Sequence, residues 1–371
     1  MATAAPPHAV TTEEIGHLAR RSGAVHYPLL EGLRAIAALA VFGYHLYLVM
    51  SPGAAQRGGW TDDLATAAGT AGVAVFFVLS GFLLYRPFSA AIHGGERGPS
   101  VAAYFQRRAA RILPAYWIAF TVSALVIGLE GVTWGNSPIY LGLLQDYTDA
   151  TRYRGIAAAW SLSIEATFYI LLPIGAVVLA ALCRRSRRLE VVALIAVGLV
   201  PVALHVVRPG SPETIVTHLD WFAAGMLLAA LSCSAHAGRL HHSLQRRRAT
   251  TLLWVLAVLA YVVAARSSLI TAELAFGAFA ALVVASAAST HPRGTARAVF
   301  GTRALLWIGL VSYGVFLWHD PIVRRLDREG VGGVSLVAVS LLLTLLVAAA
   351  SYYAAERPAQ RWVRRRIAAR A

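Results

Sequence analysis

Two ionisable residues, Arg34 and His45, lie eleven positions apart in an otherwise apolar stretch. In a helix, eleven steps of 100° overshoot three turns by only about 20°. Both side chains then leave one face, about 16 Å apart along the axis. A neutral imidazole there accepts a proton at physiological pH, the chemistry of a general base. A guanidinium pairs with phosphate or carboxylate oxygens in a planar fork. The plainer alternative has Arg34 snorkelling to the interface and His45 hydrogen-bonded within a bundle. Glu165 falls in Trp160-Ser161-Leu162-Ser163-Ile164-Glu165-Ala166-Thr167-Phe168-Tyr169, where Ser161, Glu165 and Tyr169 share a helical face. It sits about five residues inside its apolar segment, a depth comparable with that of His45. A carboxylate there is expected to orient His45 or to bind a substrate hydroxyl; the alternative is a polar bridge between helices.

Asp220 and Glu273 are expected at similar depth, and His319-Asp320 at the end of another apolar run. Such a ring predicts a polar cavity open to the outer half, with Trp160, Ser163, Asp220 and His319 as substrate-binding residues. For any one member, interhelical hydrogen bonding competes with this reading. On the other side, Arg108 and Arg111 are three apart and, with Arg34 and Arg86, present the donors of a phosphate site. Ordinary positive-inside anchoring is the alternative. Ser80 shows no activating neighbour in sequence, and Gly69, Gly72 and Gly81 predict close helix packing. Cys183 and Cys233 build neither a disulfide framework nor a metal-ligand spacing, and no metal site is expected.

The elements that must position these residues are transmembrane helices. Of the 371 residues 58% are hydrophobic and only 14% charged, against about a quarter in soluble domains. Windows of about 20 apolar residues recur, giving ten predicted spans at 33–51, 70–86, 112–130, 160–182, 190–207, 214–231, 251–265, 268–288, 305–322 and 334–354. The fold class is an all-α polytopic bundle. Residues 1–28 are read as a cytoplasmic tail, 29–356 as the membrane domain and 357–371 as a basic cytoplasmic tail. Every one of the 33 basic residues is Arg, and the net charge is +15. In a soluble chain that charge would point to nucleic acid, which is not an expected partner here because the arginines punctuate apolar spans. With the N-terminus inside, 24 fall on cytoplasmic segments and eight on the opposite loops, a bias that places both termini in the cytoplasm. The one long loop, from about Gly131 to Ala159, is rich in aromatic residues and is read as a lid over an outward cavity, with a passive connector as the alternative. No internal repeat of the transporter kind is evident.

Six elements in order carry a resemblance. They are Arg34-x10-His45, Gly72-Val73 to Phe76-Phe77-Val78-Leu79-Ser80-Gly81-Phe82, Arg108-x-x-Arg111 before Leu113-Pro114-x-Tyr116-Trp117, Trp160-Ser161-Leu162-Ser163-x-Glu165, Ser312-Tyr313 to Leu317-Trp318-His319-x-Pro321, and Glu356-Arg357-Pro358. Together, from about residue 29 to 361, they resemble the type-3 acyltransferases. The resemblance implies ten helices and transfer of an acyl group, typically acetyl, from cytoplasmic acyl-CoA to a hydroxyl. Acceptors in that family include glycans of lipopolysaccharide, peptidoglycan, exopolysaccharide or Nod factor, and macrolides. It matches His45 and Arg34 to the family's paired functional positions, Arg108 and Arg111 to the pair associated with acyl-CoA, and Glu165 to its acidic residue; on both lines together His45 and Glu165 are the expected catalytic residues and Arg34, Arg108 and Arg111 the expected acyl-CoA site. Asp320 departs from the pattern, which often has an aromatic or aliphatic residue there. No permanently bound cofactor is expected; acyl-CoA is a co-substrate. A fused hydrolase-like domain, present in some members, is not seen, so a second catalytic step is expected from another protein. The expected location is a bacterial cytoplasmic membrane. The rival from another class is a proton-coupled transporter in which His45, Glu165 and Asp220 relay protons.

Overall fold

The computed structural model describes residues 27–53, 59–94, 98–183, 185–208, 213–234, 247–267, 269–288 and 294–369. Most of the N-terminal segment and Arg20, Arg21, Arg57, Arg97, Arg184, Arg239, Arg246, Arg293 and Arg370, all counted for orientation, lie outside the described residues. Within them the secondary structure is helical, without a strand. The helices are α1 (Leu29–Met50), α2 (Trp60–Gly94), α3 (Val101–Val122), α4 (Ala159–Cys183), α5 (Arg187–Val207), α6 (Leu219–Ser232), α7 (Arg247–Arg266), α8 (Leu269–Ala287), α9 (Arg303–Leu310), α10 (Ser312–Arg328), α11 (Gly333–Ser351) and α12 (Arg357–Ala368).

Eight of the described helical segments are long and apolar enough to cross a bilayer, and the bent pair α9–α10 brings the number to nine. Only 17% of the apolar window of α5 and 11% of that of α7 are buried inside the protein. Val192 and Leu199 on α5 and Leu252 and Val258 on α7 are exposed. Water would make such surfaces costly, at about 25 cal/mol for each Å², whereas hydrocarbon does not. The chain is a multi-pass membrane protein.

Two expected spans differ from their sequence reading. The sixth is only 14 residues, α6, a rise of about 21 Å that falls short of a hydrocarbon core of about 30 Å. The ninth breaks by 75° between Leu310 and Ser312. Its first half is pinned to α1: a Cβ on Gly309 would stand 1.8 Å from the Glu31 carbonyl oxygen. The count of ten is therefore not reproduced by full-length helices.

Packing around α2 explains its glycines. A Cβ at Gly72 would meet the Ala37 carbonyl oxygen at 2.7 Å, and one at Gly81 the Phe222 carbonyl oxygen at 2.2 Å. Both predicted packing positions are close helix contacts, to α1 and α6. Ser100, Ser186 and Thr302 cap α3, α5 and α9 by accepting from the backbone N–H three residues on. Ser186 and the first-turn Glu190 are ordinary helix-start residues. Helix α11 ends in a π turn, Tyr352–Glu356, and continues as α12, which packs on α3.

Candidate active site

A cavity of about 340 Å³ opens at the arginine-rich end of the bundle. Its mouth is lined by Arg34, Arg107, Arg108, Arg111, Gln360 and Arg364. Leu83, Ser80, Ser161, Glu165, Tyr169 and Tyr313 line its middle, and Val73, Phe76, Phe77 and Phe316 lie at its far end. Along α2 the lining runs from Leu84 to Val73, about 16 Å of axial rise. Three of the four predicted phosphate residues thus come together, from α1 and α3; Arg86 does not line the cavity and lies 5.8 Å over the Tyr27 ring. Arg34 is 3.2 Å from Glu31, one turn back, and the Arg108 guanidinium lies 5.8 Å over the Tyr169 ring. The Tyr313 hydroxyl donates to the Ile112 carbonyl at 3.0 Å, tying α10 to α3 beside the cavity.

Glu165 faces this cavity and not His45. It accepts a hydrogen bond from the Ser80 hydroxyl, and Tyr169 approaches the same carboxylate. Ser80 therefore has the partner that the sequence did not reveal. His45 belongs to another level: its neighbour Tyr44 packs on Gly69 of α2, eleven residues from Ser80. Since α2 is one helix, the two levels differ by about 16 Å. The expectation that Glu165 orients His45 is corrected. Equal depth within each span failed because α4 does not start at the bundle surface. The loop before it packs inward, burying Tyr140, Leu143 and Asp146.

His45 is instead held by His319 of α10. His319 Nε2 is 3.2 Å from His45 Nδ1, and the ring centroids are 4.9 Å apart. His319 Nδ1 is 3.0 Å from the Val315 carbonyl, and His45 Nδ1 is 3.0 Å from that of Val41. A carbonyl only accepts, so both Nδ1 atoms carry protons. Neutral His319 then has a bare Nε2 that accepts from His45 Nδ1–H, shared with Val41. By the same assignment His45 Nε2 is the unprotonated nitrogen, free to take a proton. Asp320, 2% exposed, is bridged at 2.7 Å by Arg324, which accounts for a carboxylate at this departure from the family pattern. Phe316 separates this pair from the cavity: it lines the far end, and its ring centroid is 6.0 Å from that of His319.

The predicted polar ring thus divides. Trp160 and Asp220 gather around His218, which the sequence reading passed over. Its Nδ1 is 2.8 Å from Glu273 and its Nε2 3.3 Å from Glu213. The rings of Trp221, Phe77 and Trp160 lie 4.7, 5.7 and 5.9 Å away. Asp220 Oδ1 is buried without a hydrogen-bond partner among the described residues. No local pattern joins His218 to Glu273, 55 residues later; only the fold does. Ser163 belongs to neither cluster. It is fully buried and donates to the Leu143 carbonyl, so its hydroxyl serves the preceding loop and not the cavity.

That loop is an ordered block. Gln145 donates to the Ala159 carbonyl at 2.8 Å, Thr151 to that of Gln145 at 2.8 Å, and Arg152 to Asp146 at 3.0 Å. Burial pushes the Asp146 carboxyl up to about 6, although the Arg152 guanidinium pulls it down.

With this geometry in view, the comparisons decide the family. The profile described as "Acyltransferase domain", of the type-3 acyltransferases, matches residues 27–355. The chain belongs to the type-3 acyltransferase family. It is similar to YrhL of Bacillus subtilis (24% identical over 90% of this chain and 55% of the relative). It is likewise similar to the O-acetyltransferase OatA of Staphylococcus aureus (25%, over 94% and 59%). The peptidoglycan O-acetyltransferase OatA of Listeria monocytogenes is 24% identical, over 80% and 49%. The chain thus spans about half to three-fifths of the length of the relatives it matches. No solved structure matches. Arg34, His45, Arg108, Arg111 and Glu165 all fall inside the matched region; α12, with Gln360 and Arg364, lies beyond it.

Proposed function

We propose that this type-3 acyltransferase moves an acyl group, typically acetyl, from acyl-CoA to a hydroxyl of a glycan. The observation that carries the reading is the cavity itself, with an arginine-lined mouth and an apolar far end one aromatic layer beneath the His45–His319 pair. The arginine bias supports a cytoplasmic mouth. Arg34, Arg108 and Arg111 hold the donor's phosphates there, and the extended arm carries the thioester past Glu165, which receives the arm's polar groups. A shift of Phe316 and Phe76 lets the thioester meet His45. His45 Nε2 removes the acceptor's hydroxyl proton as the oxygen attacks the thioester carbonyl. The carbon–sulfur bond breaks, and the thiolate leaves and is protonated. Trp160, Asp220 and the His218 cluster offer aromatic and carboxylate surfaces for the glycan.

The relatives named as O-acetyltransferases support the acyl group, and the Listeria relative supports peptidoglycan over a macrolide as acceptor class. Family membership favours transfer over proton-coupled transport.

One observation favours a second route. Ser80 donates to Glu165 within the cavity, the arrangement of a nucleophile beside a base. An ester on Ser80 would then carry the acyl group before the acceptor receives it.

The test is release of free thiol from acetyl-CoA by purified protein in nanodiscs, with peptidoglycan fragments as acceptor. Acceptor-dependent thiol release, lost in Arg111→Ala, is expected. Substrate uptake into vesicles without any thioester, and no thiol release, would replace the enzyme with the transporter.

A further inference from the structure

The helix α12 stands outside the region shared with the family profile, yet it forms a wall of the cavity. Gln360, Val363 and Arg364 lie at i, i+3 and i+4, one face of this helix, and all three line the mouth with Arg107, Arg108 and Arg111 of α3. Arg361, Trp362, Arg365 and Arg366, exposed as Arg364 is, are not part of the cavity lining. Gln360 Nε2 is buried without a hydrogen-bond partner among the described residues. Within them, of the mouth's five arginines, only Arg34 has a carboxylate at ion-pair distance. Glu356, fully buried in the π turn that leads into α12, has neither carboxylate oxygen hydrogen-bonded among the described residues.

These observations describe an anion site with one side assigned and the other not. Five guanidinium groups line the cavity against a single lining carboxylate, that of Glu165, with Glu31 and Glu356 also near Arg111, and a buried amide N–H lacks an acceptor, a group that is costly to leave unpaired. Phosphate oxygens answer both needs: they accept from the amide and pair bidentately with the guanidinium. We propose that Arg364 and Gln360 bind the phosphate-bearing end of the donor, so that the C-terminal helix clamps it against α3. This rests on the acyl-CoA reading above. The helix supplies donor affinity and takes no part in the transfer step.

The experiment measures CoA binding to the full chain in phosphatidylcholine nanodiscs, together with the melting temperature without CoA. Arg364→Ala is expected to raise the Kd for CoA about tenfold, and the double variant Gln360→Ala with Arg364→Ala further. The unliganded melting temperature stays unchanged, and Arg364→Lys recovers part of the affinity because it keeps the charge but not the fork. Arg366→Ala, outside the cavity lining, binds as wild type does. An unchanged Kd in Arg364→Ala overturns the clamp and leaves the donor reading intact, as does a Kd loss tracked by a lower unliganded melting temperature. Wild type that binds no CoA overturns both.

Discussion

His319 Nε2 stands 3.2 Å from His45 Nδ1, and each ring is tied through Nδ1 to the carbonyl one turn back on its own helix. Two helices thereby fix one imidazole with its Nε2 free. Replacing His319 by Phe keeps the volume and removes the acceptor. His45 is then free to reorient, and kcat should fall about 10–100-fold, a fraction of the 10²–10⁴ that general-base catalysis supplies. The KM for acetyl-CoA should not change, because the arginines proposed to hold the donor lie at the other end of the cavity. Steady-state kinetics check both; a KM effect with unaltered kcat would assign His319 to donor binding instead.

Ser80 and Glu165 separate the two transfer routes. With His45 as base acting directly on the acceptor, Ser80→Ala keeps activity within about tenfold, since it removes one hydrogen bond from a carboxylate still approached by Tyr169. Intact-mass spectrometry after acetyl-CoA without acceptor should then show no added acetyl. An acetyl adduct present in wild type and absent in Ser80→Ala would establish the serine route.

The fold was most legible where the sequence was plainly apolar, because about 20 apolar residues have few alternatives to a spanning helix. The site was legible in part. Arg34, Arg108 and Arg111 converge as their positions predicted, since each sits at the same end of its helix. The pairing of His45 with Glu165 was misjudged because depth counted from a helix end assumes that each helix begins at the same plane. The inward loop before α4 breaks that assumption, and partners are then set by which faces meet. His319 was read as a substrate residue, yet it pairs with His45, a contact 274 residues long that no local spacing encodes. Arg364 was lost in the basic composition around it; its i, i+4 relation to Gln360 was the available signal.

Glu190 is a separate test of how the arginine-rich end is held. Fully buried, it accepts from Tyr85 at 2.7 Å and pairs with His93 at 2.8 Å and Arg187 at 3.0 Å. Arg187 also donates to Ser89 and to the Ala230 and Cys233 carbonyls, linking α2, α5 and α6. Arg187→Ala leaves that carboxylate short of positive charge and should destabilise the protein by about 3–5 kcal/mol. Thermal unfolding in detergent measures it; a loss below about 1 kcal/mol would class the cluster with exposed ion pairs.

Asp146 gives the loop before α4 a pH dependence of defined sign. Its carboxyl is raised from 3.8 to about 6 by burial. The stability it lends is fully present below the lower value and fades as pH rises through the upper one. Hydrogen exchange over residues 145–158, taken relative to the free-amide rate at each pH, should therefore quicken between about pH 4 and 6. Asp146→Asn, which carries no charge to desolvate, should flatten the change. Exchange that slows over the same interval would mean that the Arg152 ion pair outweighs burial.

Mass spectrometry of cell-envelope glycans tests the proposed acyl transfer at His45 most directly. The samples come from a strain lacking this gene, complemented with wild type or with His45→Ala. The expected result is an acyl mass lost on deletion and restored by wild type alone. Full restoration by His45→Ala would contradict it and move the chemistry into the cavity, to Ser80 and Glu165.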